Sequence, residues 1–211
     1  MLKIDHKYAL EVLKNLQEEY PDAKTSLKYN SIFELVVAVV LSAQSTDNQV
    51  NIVTEKLYKD YNTAEKLAAI DIASLEELIR GVGLFRTKAR NIKKLAQIIN
   101  EQYKGKVPDE FDELLKLPGV GRKSANVIMA VGFNQPGLGV DTHVHRVVNR
   151  IGLVSAKNPE KTELGLKQLI PEKLWGEAHH IFIAHGRQIC KARNPKCQEC
   201  IINKECRKII N

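Results

Sequence analysis

Leu117-Pro118-Gly119-Val120-Gly121-Arg122-Lys123-Ser124-Ala125 decides how the rest of the chain is read, because it sets a lysine where a glycine turn becomes a helix. The residues before it, Phe111 to Leu117, and after it, Ala125 to Val131, both carry apolar side chains at helical spacing. Pro118 and Gly119 stop the first helix, and Gly119 and Gly121 let the backbone turn tightly with its N–H groups facing outward. Those amides, together with the positive end of the second helix, suit a phosphate. Any helix corner can use a glycine, so Gly-x-Gly by itself says little. Leu-Pro ahead of it and Arg122-Lys123 behind it make the stretch a helix–hairpin–helix element shaped for a nucleic-acid backbone. Gly119, Val120, Gly121 and Arg122 are its expected contacts with that backbone.

The 211 residues suffice to bury a sizeable core, as one large domain or two small ones. Lys and Arg number 32 against 25 Asp and Glu, giving a net charge of +7. That excess favours a polyanionic partner, since each neutralised phosphate releases counterions. Charge alone leaves a merely basic globular protein open. Charged residues make up 27% of the chain, a globular value, so the excess does not come from a disordered basic tail. The opening residues Met1-Leu2-Lys3-Ile4-Asp5-His6-Lys7 lack the apolar run of a secretory signal. The longest aliphatic run, Leu35 to Leu41, is too short to span a bilayer, so a cytoplasmic location without membrane attachment is expected. All four cysteines lie between Cys190 and Cys206. A disulfide framework would tie distant segments together, so this crowding reads as a metal site in a reducing compartment.

The pattern is helical nearly throughout, and the fold class read from it is all-α. Asp5 is placed to cap a helix carrying Tyr8, Leu10, Val12, Leu13 and Leu16. Ser31 caps the next, Ile32 to Ser42, which is apolar all round and so reads as a buried central helix. Thr46-Asp47-Asn48-Gln49 and Ser74-Leu75-Glu76-Glu77 fit the capping box and mark two further starts. Asn158-Pro159 reads as a cap followed by proline at the first helical position, and a long helix is expected from Lys173 to Gln188. Gly132, Pro136, Gly137 and Gly139 suggest a boundary between a central bundle and a C-terminal part. Gly81-Val82-Gly83-Leu84-Phe85-Arg86-Thr87-Lys88-Ala89 faintly echoes the hairpin. It is either a second turn touching the same duplex or a helix ending on Gly83 as its C-cap.

Lys123 falls in the first turn of a helix. A lysine is a nucleophile only when neutral, and burial, a cation such as Arg122 and the helix dipole all disfavour its protonated form. A neutral lysine attacks an electrophilic carbon to form a Schiff base; the alternative is one more phosphate-binding lysine. Val140-Asp141-Thr142-His143-Val144 follows, one helix and a glycine-rich loop later. Asp141 is placed as an N-cap, and the same carboxylate suits proton transfer from the attacking amine and stabilisation of positive charge on a sugar ring. His143 and His145 flank it and are read as packed or solvated helix positions. Cys190-x6-Cys197-x2-Cys200-x5-Cys206 contains one close pair where zinc sites usually have two. One cluster held by four thiolates is the better reading, with zinc as its competitor.

On these residues the chain resembles the endonuclease III family of DNA glycosylases with lyase activity, over nearly its whole length. Leu-Pro-Gly-Val-Gly-Arg-Lys and Val-Asp-Thr-His-Val, in that order, are together specific to it. The resemblance implies that Lys123 and Asp141 are catalytic. An oxidised pyrimidine would be flipped into a pocket between two helical domains, and β-elimination would cut the strand 3′ to the abasic site. It implies that Gln44, within Leu41-Ser42-Ala43-Gln44-Ser45-Thr46-Asp47, fills the gap left by the flipped base, and that Leu84 wedges beside the orphaned partner base. It implies a [4Fe–4S] cluster on Cys190, Cys197, Cys200 and Cys206, with Lys191, Arg193 and Lys196 reaching DNA phosphates. The implied architecture is a helical bundle over residues 25–135 containing the hairpin, and a discontinuous cluster domain over 1–24 plus 136–211. The expected partner is double-stranded DNA carrying damaged pyrimidines or abasic sites, met by a nucleoid-associated monomer. Two alternatives are a glycosylase that uses water and leaves the strand intact, and a non-catalytic iron–sulfur DNA-binding protein.

Overall fold

The computed structural model describes residues 5–209. Met1 to Ile4, the start of the stretch read above for a signal sequence, and residues 210–211 lie outside them. Among the described residues the chain forms eleven α-helices and no strand. In order they are α1 (His6–Glu19), α2 (Ile32–Leu41), α3 (Asp47–Asp60), α4 (Ala64–Ala69), α5 (Ile72–Leu78), α6 (Phe85–Gln102), α7 (Phe111–Leu115), α8 (Arg122–Gly132), α9 (Thr142–Ile151), α10 (Pro159–Leu169) and α11 (Trp175–Gln188). They gather into two compact units. One is Ser26–Gln135; the other joins the chain on either side of it, Met1–Thr25 and Pro136–Asn211. No helix among the described residues is long and apolar enough to cross a membrane.

The Ser26–Gln135 unit is built around α2, whose residues Phe33 to Leu41 are all buried. A helix without a polar face has to be covered on every side, and α3, α6 and α8 pack against it. Each Leu or Val buried in this way contributes about 1.5–3 kcal/mol of transfer free energy. The other unit packs α1 and α9 against α11, and α10 against α9. Its core joins Val12 and Leu16 of α1 to Val144, Val147 and Val148 of α9 and Phe182 of α11.

Asp5, Ser31, Thr46, Asp141 and Asn158 each accept a hydrogen bond from a first-turn amide, as their sequence positions suggest. Three details differ. Ser74 lies inside α5, because Asp71 upstream is the cap and takes the Ser74 N–H at 3.0 Å. Leu10 is 40% exposed. The buried stripe of α1 runs Ala9, Val12, Leu13, Leu16, the i, i+3, i+4, i+7 spacing of one helix face. The helix expected from Lys173 begins at Trp175, after a 3-10 turn over Glu172–Leu174 closed by the Leu174 N–H on the Pro171 carbonyl.

Candidate nucleic-acid interface and metal centre

In the hairpin, α7 ends at Leu115 and the Val120 N–H closes the turn on the Leu117 carbonyl at 3.0 Å. Gly119 has φ +84°, and a β-carbon there would lie 2.8 Å from Val40 Cγ1 and 3.2 Å from Asn91 Nδ2. Only glycine meets both the conformation and the close approach. Gly121 faces open space, with nothing within 4 Å of where its β-carbon would be. The Val120 side chain is buried, so it pins the turn and leaves contact with a partner to the main chain. Gly121 is the N-cap of α8 and offers no side-chain acceptor, and no acidic residue occupies the first turn. Seven other helices, by contrast, are capped by a side chain. The positive end of α8 thus has no cap from its own N-cap side chain and no acid in its first turn. Arg122 stands exposed on this end, its guanidinium 5.5 Å from the Phe111 ring centroid. Lys123, the second residue of α8, is half-buried.

The echo turn does not use Gly83 as a helix C-cap, since α5 ends at Leu78 with Ile79 as its cap. Gly83 does not take the left-handed conformation; Leu84 does, at φ +56° and ψ 31°, while its side chain is 62% exposed. Gln44 is also left-handed, at φ +54°, and exposed. The structure brings the two together. Ser45 Oγ accepts from the Gly83 N–H at 3.2 Å and from Lys88 Nζ at 2.9 Å, and Lys88 Nζ also donates to the Leu41 carbonyl at 2.8 Å. Lys88 is buried, and burial holds its pKa below the usual lysine value.

In the other unit Asp141 caps α9, its Oδ1 accepting the Val144 N–H at 2.8 Å, which fixes where the half-buried carboxylate points. The loop before it is held by the ring of buried His179 on the Gly139 carbonyl. His143 Nδ1 lies 3.2 Å from Arg146 Nη2 and His145 Nδ1 lies 2.7 Å from Thr162 Oγ1, so both are packed helix positions. Lys123 and Asp141 belong to different units.

Helix α9 also holds the cysteine segment. Arg146 donates to the carbonyls of Cys190 and Gly186 at 3.1 and 2.9 Å, and Arg150 to those of Lys191 and Ala192 at 2.6 and 3.0 Å. The helix that presents Asp141 therefore grips the start of the cysteine loop with two arginines one turn apart. Sequence reasoning missed both, although their i, i+4 spacing was visible. Cys190, Cys197, Cys200 and Cys206 are all free thiols and line one pocket with Ile151, His185 and Ile189. Among the described residues no three His, Cys, Asp or Glu side chains are arranged to hold one ion. Four thiols lining one common pocket suit a single cluster held by four thiolates. Burial raises the pKa of Cys200 and Cys206, so an apolar pocket holds them as thiolates only when a cation compensates. His185 Nε2 stands 3.8 Å from Cys200 Sγ and its Nδ1 3.2 Å from the Tyr20 hydroxyl. Burial lowers the His185 pKa to about 4, so the ring is neutral. Of the basic residues in the loop, Lys196 is paired with Glu199 at 2.7 Å.

Residues 37–172 match the HhH-GPD superfamily of base excision DNA repair proteins, and residues 190–206 match the iron–sulfur binding domain of endonuclease III. The endonuclease III of Rickettsia felis is 46% identical over 93% of this chain and 92% of its own. That of Escherichia coli is 43% identical over 93% of each. The chain belongs to the endonuclease III family. A solved structure of a trapped endonuclease III–DNA covalent intermediate superposes with a TM-score of 0.92 at 42% identity, covering 98% of this chain and 97% of that one. As an endonuclease III family member, the protein is a base-excision DNA glycosylase with lyase activity and carries a [4Fe–4S] cluster.

Proposed function

We propose that Lys123 is the nucleophile and Asp141 the proton-handling carboxylate with which this glycosylase/lyase removes oxidised pyrimidines from duplex DNA. The observation that carries the reading is the half-buried Lys123 in the first turn of a helix that has no side-chain cap, no acid in that turn and Arg122 beside it. All three features favour a neutral amine and attract a phosphate. The free amine attacks C1′ of the damaged nucleoside, the bond from C1′ to the base breaks with its electron pair leaving on the base, and the base takes up a proton. Ring opening gives an iminium between Lys123 and the sugar. Loss of a C2′ proton then expels the 3′ phosphate, and water releases the lysine. Asp141 takes the proton of the attacking amine and stabilises the positive charge on the sugar.

The hairpin backbone from Gly119 to Gly121, with Arg122, holds a phosphate of the damaged strand. Gln44 fills the place of the everted base and Leu84 wedges beside its former partner; extrusion costs a few kcal/mol, least for a damaged pair. Cys190, Cys197, Cys200 and Cys206 bind the cluster. Bound, it supplies four iron–thiolate bonds that tie the loop into one segment under α9. The enzyme acts as a monomer in the cytoplasm, on the nucleoid.

The test is borohydride reduction with two duplexes, one carrying a single thymine glycol and the other a single abasic site. The wild-type protein forms a covalent adduct; Lys123→Ala forms none while still binding the lesion. Asp141→Asn keeps a good N-cap and lowers turnover about 10²- to 10⁴-fold, with affinity little changed. A wild-type protein that excises the base without any adduct would replace the lysine with water as the nucleophile.

A further inference from the structure

Lys88 is a buried ammonium whose side-chain partners are two neutral oxygens, the Leu41 carbonyl and Ser45 Oγ. An apolar side chain of similar length would fill the space without the desolvation of a charge. The lysine therefore does something that packing does not require. Its two bonds reach from the first turn of α6, just past Leu84, to the end of α2 and the turn that carries Gln44. Ser45 Oγ completes the junction by taking the Gly83 N–H as well. The turns already touch, for a β-carbon on Gly83 would lie 3.4 Å from the Gln44 carbonyl oxygen. Both residues displayed at this junction, Gln44 and Leu84, are non-glycine residues held in the left-handed region. Such conformations persist only where the surroundings over-determine them.

We propose that Lys88 is a positioning residue. With Ser45 it clamps the Gln44 and Leu84 turns into a single two-pronged edge, preformed before DNA arrives. The inference rests on the reading that Gln44 and Leu84 enter the duplex. Preforming the edge removes the ordering cost from binding, and it does so for the lesion complex, where both prongs are inserted, more than for undamaged duplex.

The test uses the full-length, cluster-loaded protein and two duplexes, one with a tetrahydrofuran abasic-site analogue and one undamaged. Lys88→Met and Ser45→Ala should each lower the ratio of the two affinities about tenfold, the loss given by one or two hydrogen bonds to a charged group. Each should raise KM far more than it lowers kcat, and Lys88→Met should keep or raise the melting temperature, which a merely structural lysine would not allow. The double variant should be no worse than either single one, because the two residues form one device. Wild-type selectivity in Lys88→Met, or a loss that falls equally on kcat, KM and melting temperature, would overturn the clamp. Gln44→Ala and Leu84→Ala separate the two levels. If they lose selectivity and Lys88→Met does not, the clamp alone fails; if they keep it, the reading of the edge fails and takes the clamp with it.

Discussion

At residues 119–123 a Gly-Val-Gly turn puts its left-handed conformation on Gly119 and its lysine, half-exposed, at the second position of α8. At residues 81–88 the same three residue types precede a turn whose left-handed residue is Leu84 and whose lysine is buried in α6. The first turn uses glycine where the backbone takes the left-handed conformation, so it is relaxed, and its lysine stands half-buried in the first turn of α8. The second places a leucine in a conformation that costs roughly 1–2 kcal/mol, and its lysine goes into holding that conformation. Similar letters thus serve unlike ends: one turn is built to react and the other to display.

That contrast sets the sizes of the expected effects. Lys123→Ala should lower single-turnover strand cleavage by at least about 10³-fold, the loss typical of removing a covalent nucleophile. Leu84→Ala should weaken lesion affinity by about tenfold and leave cleavage at saturating enzyme within a few-fold of wild type. Single-turnover kinetics across an enzyme titration reads both numbers. A Leu84 variant as inactive as the lysine variant would dissolve the distinction between reacting and displaying.

Stability sharpens it next. Gly119→Ala forces a side chain into the left-handed region and against Val40 Cγ1 at 2.8 Å, so it should destabilise the Ser26–Gln135 unit by about 2–4 kcal/mol. Gly83→Ala meets only an ordinary contact at 3.4 Å and has no positive φ to satisfy, so its effect should stay within about 1 kcal/mol. Urea unfolding of the two variants side by side is the measurement. Equal losses would mean that the echo turn is as tightly determined by its glycine as the hairpin is.

Much of this was legible in the sequence, for physical reasons that can be named. An all-apolar α2 must be central, and Asp5, Ser31, Thr46, Asp141 and Asn158 cap because short polar side chains reach first-turn amides. The four crowded cysteines marked a metal centre, and the structure lines one pocket with them. What stayed hidden depends on tertiary context. Ser74 and Asp71 both had the chemistry of a cap, and Asp71, three residues ahead, took the Ser74 amide. Nothing local to Lys88 shows that it is buried, since its partners at Leu41 and Ser45 come from another helix and its loop. The grip of Arg146 and Arg150 on the cysteine segment spans some forty residues of chain, beyond any local pattern. The left-handed Leu84 ran against the sequence, which offers glycines on either side of Val82 as the natural carriers of a positive φ.

That mismatch yields the finest test. Leu84 is 62% exposed, so truncating it forfeits little burial. Leu84→Gly releases the left-handed strain, worth roughly 1–2 kcal/mol, and gives back about 0.5–1 kcal/mol through the greater freedom of glycine in the unfolded chain. The net is a gain of between about 0 and 1.5 kcal/mol, or a rise in melting temperature of up to about 3–6 °C for a chain of this size. Lesion selectivity should fall at the same time, because the prong is gone. Residues strained for display are the ones whose removal stabilises a protein while damaging its function. A Leu84→Gly protein that melts several degrees lower would instead make Leu84 part of the core's support, and the echo turn would then be a structural corner like any other.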